Sequence, residues 1–138
     1  MTQIVTSAGF TPDKFADAPL VSLAEYQGTG ALLMSLEDEI SEVAGHFDTL
    51  NLIVVPFPKS ADGRGFSIAR SLRELGFSGY LRARGHVLVD QFRAALRCGF
   101  DDVEISGEQA QRNPEAQWRA VPFDQSYQTR ITNRDARP

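Results

Sequence analysis

Apolar residues along this chain fall into short clusters, and most of the later ones are followed by a polar or glycine-bearing segment and then by apolar positions at helical spacing. The clearest cluster is Leu52-Ile53-Val54-Val55. A continuous apolar run of this length suits a parallel strand buried on both faces. Pro56 and Pro58 are expected to end it, since neither can donate to a sheet ladder. After the permissive loop Asp62-Gly63-Arg64-Gly65, the residues Phe66, Ala69, Leu72 and Leu75 form an apolar stripe with Arg70, Arg73 and Glu74 off it. That spacing predicts an amphipathic helix stopped at Gly76. Tyr80 to Arg84 alternates as a strand does, which puts Arg82 and Arg84 on one face. Gly85-His86 then turns into a helix over Val87 to Arg97, with Leu88, Phe92, Ala95 and Leu96 inward. Gly99 ends this helix, and Asp101 to Ile105 forms the last strand.

Upstream, Ala31-Leu32-Leu33-Met34-Ser35-Leu36 reads as another buried strand. Glu37-Asp38-Glu39 is expected in the first turn of the next helix, where the macrodipole favours acids, with Ser35 as a possible cap. Ile40, Val43, Ala44 and Phe47 would be its packed face. Strand and helix thus alternate three times and close on a strand. The pattern predicts a small α/β domain of about four mainly parallel strands with flanking helices, as an open sheet or a half-barrel-like arc. Residues 1–30 show no sustained period and are assigned to an arm or covering segment, with one short strand or helical turn between Ala18 and Tyr26. The domain proper is placed at 31–118. Ser106 is a candidate cap for one more helix, interrupted at Pro114, and 119–138 reads as an irregular tail. Four strands leave two open edges, so a homodimer is expected.

Bulk composition narrows the class. The 138 residues make about one domain. No apolar run approaches the roughly 20 residues of a membrane-spanning helix, and Met1 to Phe10 lacks the pattern of a secretory signal. A single cysteine, Cys98, suits a reducing compartment, so a cytoplasmic protein is expected. It ends a helix beside Phe100 and reads as a buried thiol. The net charge of −4 argues against general nucleic-acid binding. Charge is uneven, however: from Pro56 to Ser106 there are 8 basic and 6 acidic residues (+2), leaving 6 basic and 12 acidic (−6) elsewhere. The middle is therefore the place for an anionic ligand.

In parallel sheets, ligands sit beyond the carboxyl ends of the strands. That rim collects Lys59, Asp62, Gly63, Arg64 and Gly65 after one strand, Arg84 and His86 after the next, and Glu104 and Ser106 after the last. Gly63 and Gly65 would bring backbone N–H groups to a helix start, which favours anions. Lys59, Arg64 and Arg84 complete a candidate ligand-binding set for sulfite, sulfate, phosphate or carboxylate. The bland alternatives stand beside it: Asp62 capping the helix, the glycines making only a turn, and Arg82 and Arg84 paired with Asp102 or Glu104 on the next strand. Asp62, His86 and Asp90 are the acid–base candidates. No His/Cys cluster has metal-ligand spacing, and no flavin or nicotinamide motif is evident, so neither metal nor cofactor is assigned. Arg73, on the helix body, is expected to be immaterial to binding.

The same residues carry a resemblance. Phe57-Pro58, Asp62-Gly63-Arg64-Gly65-Phe66-Ser67, Ala69-Arg70, Leu72-Arg73, Leu81-Arg82-Ala83, Gly85, Val87-Leu88, Asp90-Gln91 and Arg97-Cys98-Gly99-Phe100-Asp101 resemble an uncharacterised bacterial family, over roughly residues 30–106. Its members are often encoded beside assimilatory sulfite reductase, and some are loosely labelled oxidoreductases. The chain departs from the family's usual residues at His86 and Val89. The resemblance implies a role near sulfur assimilation without supplying a reaction. Two classes of function follow. One is an accessory protein of sulfite reduction that holds a small oxyanion or docks on the reductase. The other is a small enzyme, with oxidoreductase as its candidate class, acting on an anionic substrate at the strand C-terminal rim.

Overall fold

The computed structural model describes residues 1–119; the tail from 120 onward lies outside the described residues. The segments read as strands become the parallel strands β3 (Ala31–Leu33), β4 (Leu52–Phe57), β5 (Tyr80–Gly85) and β6 (Asp102–Ser106). Helices α1 (Ile40–Ala44), α2 (Arg64–Glu74) and α3 (Val89–Cys98) connect them. The chain adds these strands in one direction across the sheet. Crossovers of one hand then lay all three helices on the same face. That face holds the main core, where Ile53, Val55, Leu81, Ala83, Val103 and Ile105 meet Val43, Ala69, Leu72, Phe92 and Leu96. The α/β architecture expected from the pattern is therefore present, as a mixed sheet of six strands.

The two additional strands come from the N-terminal segment. β1 (Thr2–Thr6) pairs antiparallel with β6, and β2 (Gly9–Thr11) folds back on β1, giving the order β2-β1-β6-β5-β4-β3. Residues 1–30 thus extend the sheet as well as covering it. Phe15, Ala18 and Leu20 lie over Ala31, Leu52 and Val54 on the helix-free face. At the far edge Val21 bridges to Leu32, and Leu33 N–H donates to the Val21 carbonyl at 2.9 Å. At the other, Glu115 accepts from Phe10 N–H at 2.9 Å. The open edges on which a homodimer was expected are thus met by this chain's own segments.

Proline placement shows how register permits what local rules disfavour. Strand β4 runs through Pro56 to Phe57 instead of stopping before it. The carbonyl of Val54 points to β3 and accepts from Met34 N–H, whereas that of Phe57 points to β5 and accepts from His86 N–H. By the alternation of a strand, Pro56 also points toward β3. The next parallel rung would run from residue 56 N–H to the Met34 carbonyl; proline cannot supply it, and β3 ends at Leu33.

One helix start differs from expectation and another matches it. Helix α1 begins only at Ile40, with Glu39 at its cap position. Residues 35–38 form a side-chain turn instead: Asp38 accepts from Ser35 N–H at 2.8 Å and Ser35 Oγ accepts from Glu37 N–H at 3.2 Å. Short polar side chains offer the backbone such an alternative to helix. After β6, Ser106 Oγ does accept from Gln109 N–H at 3.1 Å and caps α4 (Gly107–Arg112), with α5 (Glu115–Arg119) following Pro114. Gly76 and Gly99 end α2 and α3 with φ of 105° and 111°.

Candidate functional site

The face opposite the helices alternates with the core face and is strongly polar toward β5 and β6. Arg82, whose side chain is 2% exposed, donates through Nε to Asp102 Oδ1 at 2.8 Å and through Nη2 to Asp102 Oδ2 at 3.0 Å. Tyr80 donates its hydroxyl to Asp102 at 2.7 Å. Asp13, from the covering segment, lies 3.0 Å from Arg82 Nη1. Burial pushes the Asp102 carboxyl up, against the pull of Arg82 and Tyr80. Burial would lower the Arg82 guanidinium, but the carboxylates of Asp102 and Asp13 outweigh it and hold the side chain charged. The cross-strand pairing read as one alternative for Arg82 is therefore what it does.

One residue pair further along, the face opens. Arg84, opposite Pro56 on one side and Glu104 on the other, has a side chain 44% exposed. Its Nε lies 3.8 Å from Glu104 Oε2, while the other oxygen of Glu104 lies 3.8 Å from Arg82. Both separations exceed hydrogen-bonding distance. Arg84 and Glu104 thus form a long ion pair without a hydrogen bond, and the Arg84 fork retains donors for another partner. A cleft of about 430 Å³ lies beside it, lined by Leu33, Pro56, Phe57, Pro58, Arg84, Gly85 and His86. These residues come from the carboxyl ends of β3, β4 and β5 and the turns after them, where the parallel-sheet rule locates ligands.

Local geometry presents His86 to the cleft. Gly85 has a φ of 125°, and its carbonyl accepts from Val87 N–H at 3.0 Å, so His86 is the middle residue of a three-residue turn. Its own N–H is fixed to Phe57 at 2.8 Å, which leaves the imidazole exposed. Gln91 locks the adjacent loops. Its Oε1 accepts from Leu88 N–H at 3.0 Å and its Nε2 donates to the Ser60 carbonyl at 2.7 Å. From beneath, buried Gln109 donates to the Val87 carbonyl at 2.6 Å.

The rim candidates therefore divide into two groups. Arg84 and His86 share the cleft, whereas Lys59, Asp62, Gly63, Arg64 and Gly65 form the β4–α2 loop and are not among its lining residues. In that loop Asp62 receives Arg64 N–H at 3.1 Å, Arg64 Nε at 3.0 Å and Arg64 Nη2 at 2.6 Å. Gly63, and not Asp62, occupies the cap position of α2. Asp62 still satisfies a first-turn donor, so the chain's own carboxylate sits at the helix start. Gly65 is required by packing: a Cβ there would lie 2.7 and 2.8 Å from Cε1 and Cε2 of Phe57. Lys59 is exposed, and Asp90 is exposed in the first turn of α3. Cys98 is buried at the end of α3, with Arg70 Nη2 3.5 Å from its sulfur. Among the described residues no group of His, Cys, Asp and Glu is arranged to hold a metal, and no helix is long and apolar enough to cross a membrane.

The family model described as "Bacterial protein of unknown function (DUF934)" matches residues 31–137. The chain belongs to this family. Comparison with curated proteins and with solved structures found no match. In this DUF934 chain the motif residues that carried the resemblance divide by task. Asp62 and Arg64 fix the loop before α2, Gly65 admits Phe57, Gln91 ties two loops, and Gly85 shapes the turn that exposes His86. Leu33, Pro56 and Pro58 were not singled out as site residues, because their role depends on which strands are neighbours. The loop pair is testable by pH. Hydrogen bonds from the Arg64 side chain and backbone lower the Asp62 carboxyl from 3.8 to about 2. A carboxyl depressed on folding adds stability above its unfolded value and loses it as pH falls through the folded one. The gap in thermal midpoint between the native chain and Asp62→Asn, measured at pH 5, should therefore close as pH approaches about 2. A gap constant across that range would contradict the pairing.

Proposed function

We propose that this protein is an accessory, anion-binding protein of assimilatory sulfite reduction that works in the cytoplasm and takes its ligand in the cleft beside Arg84 and His86. The observation that carries the binding part is the state of Arg84. It is a half-exposed guanidinium on a strand position, facing a cleft, and among the described residues its carboxylate neighbour is Glu104 at 3.8 Å. A planar donor fork is suited to carboxylate and to tetrahedral oxyanions alike. His86 adds a second polar side chain to the same cleft. The link to sulfite reduction rests on the family resemblance in the sequence, not on the cleft. Binding is favoured over catalysis because, of the three acid–base candidates, His86 alone lines the cleft. A nucleophile–base pair, the usual sign of covalent chemistry, is not among its lining residues.

Calorimetry with sulfite, sulfate and phosphate tests the reading. Arg84→Ala should weaken binding by about 1.5–3 kcal/mol, the range for hydrogen bonds to charged groups. Arg70→Ala, exposed on α2, should leave it nearly unchanged. Arg73 is not a suitable control. Its guanidinium donates to the carbonyls of Gly99, Phe77 and Gly79 and to Asp101, so it staples the turn after α2 to the turn after α3. Equal loss in Arg84→Ala and Arg70→Ala, or no binding at millimolar anion, would contradict the reading.

A further inference from the structure

The cleft is far larger than a bare oxyanion and is polar on one side only. A tetrahedral anion fills on the order of two or three water volumes of about 30 Å³ each, against a cleft of about 430 Å³. Its polar side belongs to β5, through Arg84 and His86. Its other side belongs to β4 and β3, through Pro56, Pro58 and Leu33. The register places Arg84 beside Pro56 and Leu33 beside Val54. The apolar wall therefore begins one strand away from the guanidinium and ends two strands away, on the order of 10 Å. An inorganic ion held on Arg84 would leave that wall in water. A ligand with an apolar body would cover it, which is the usual division of labour in small-molecule sites.

Local charge sets the size of the anion's charge. Arg82, Arg84 and Lys14, whose ammonium lies 4.2 Å over the Tyr80 ring, contribute +3 to the helix-free face, and Asp13, Asp102 and Glu104 contribute −3, for a sum of 0. With no net positive charge on that face, a single negative charge is matched by Arg84 alone, whereas a dianion leaves one charge unmatched. We infer that the cleft takes a monoanionic organic acid, a carboxylate or sulfonate on a flat apolar body, with its charged end on the Arg84 fork and its body over Pro56 and Leu33. This rests on the anion-binding reading of the same cleft.

Benzoate, acetate, inorganic phosphate and benzyl alcohol, titrated into the full chain by calorimetry, separate the two. Benzoate should bind at least tenfold more tightly than acetate or phosphate, and benzyl alcohol should bind at least tenfold more weakly than benzoate. Arg84→Ala should lower benzoate affinity at least tenfold. Leu33→Ala should bring benzoate down to the acetate level, and the ligand series on the native chain decides the matter even if that variant folds poorly. Equal affinities for benzoate and acetate would overturn the organic-acid inference and leave the anion cleft standing. Phosphate tighter than benzoate would do the same. No binding by any of the anions, or benzyl alcohol as tight as benzoate, would overturn the anion reading itself.

Discussion

Arg82→Ala should destabilise the fold by about 3–5 kcal/mol, the usual cost of removing one partner of a buried ion pair. The side chains of Arg82 and Asp102 are each 2% exposed. Alanine would strand the Asp102 carboxylate on the sheet with only Tyr80 as a near donor, and would free Asp13 and the covering segment it anchors. A loss of this size is a large share of the roughly 5–15 kcal/mol that typically holds a domain together. Urea unfolding measures it as a fall in midpoint. A loss below about 1 kcal/mol would mean that Arg82 is solvated in solution and that the segment around Asp13 does not cover it.

Gly85→Ala should be comparably severe, at about 3 kcal/mol or more. Two costs combine. A positive φ strains any residue with a side chain by about 1–3 kcal/mol, and the φ of Gly85 is 125°. A Cβ would also run into the carbonyl oxygen of Phe57 and lie 3.2 Å from its carbon. Backbone cannot swing aside as a side chain can, and overpacking commonly costs about 1–3 kcal/mol. That carbonyl is the one that fixes His86 N–H, so the variant should also lose ligand affinity at the cleft. Gly63→Ala, with nothing within 4 Å of the added Cβ, should be tolerated. Thermal melts of the two variants side by side check the contrast. Equal midpoints would contradict the described turn.

The parallel core was legible because its signals are local. The Leu52–Val55 run, the stripe Phe66, Ala69, Leu72 and Leu75, and the stops at Gly76 and Gly99 each state their element within a few residues. β1 was not legible, since Thr2–Thr6 buries Ile4 and Val5 only through its pairing with β6, a hundred residues away. Arg73 escaped for a related reason. It lies off the apolar stripe of α2, yet three carbonyls from two later turns converge on it. The candidate site was half legible. Strand-end placement put Arg84 and His86 on one rim, and both line the same cleft. Whether Arg64 was free depended on a side-chain fork closing on Asp62, which spacing does not decide. The apolar wall of the cleft depended on strand order, because Leu33 and Pro56 meet only when β3 and β4 are neighbours.

The central claim is that anions bind at the ends of β3, β4 and β5 beside Arg84 and His86. Titrating the isotopically labelled chain with sulfite while recording backbone amide resonances tests it most directly. The expected result is a saturable set of shifts at Leu33, Phe57, Arg84, Gly85 and His86, lost in Arg84→Ala. Shifts centred instead on Gly63, Arg64 and Gly65, and unchanged in Arg84→Ala, would contradict it and return the anion to the start of α2.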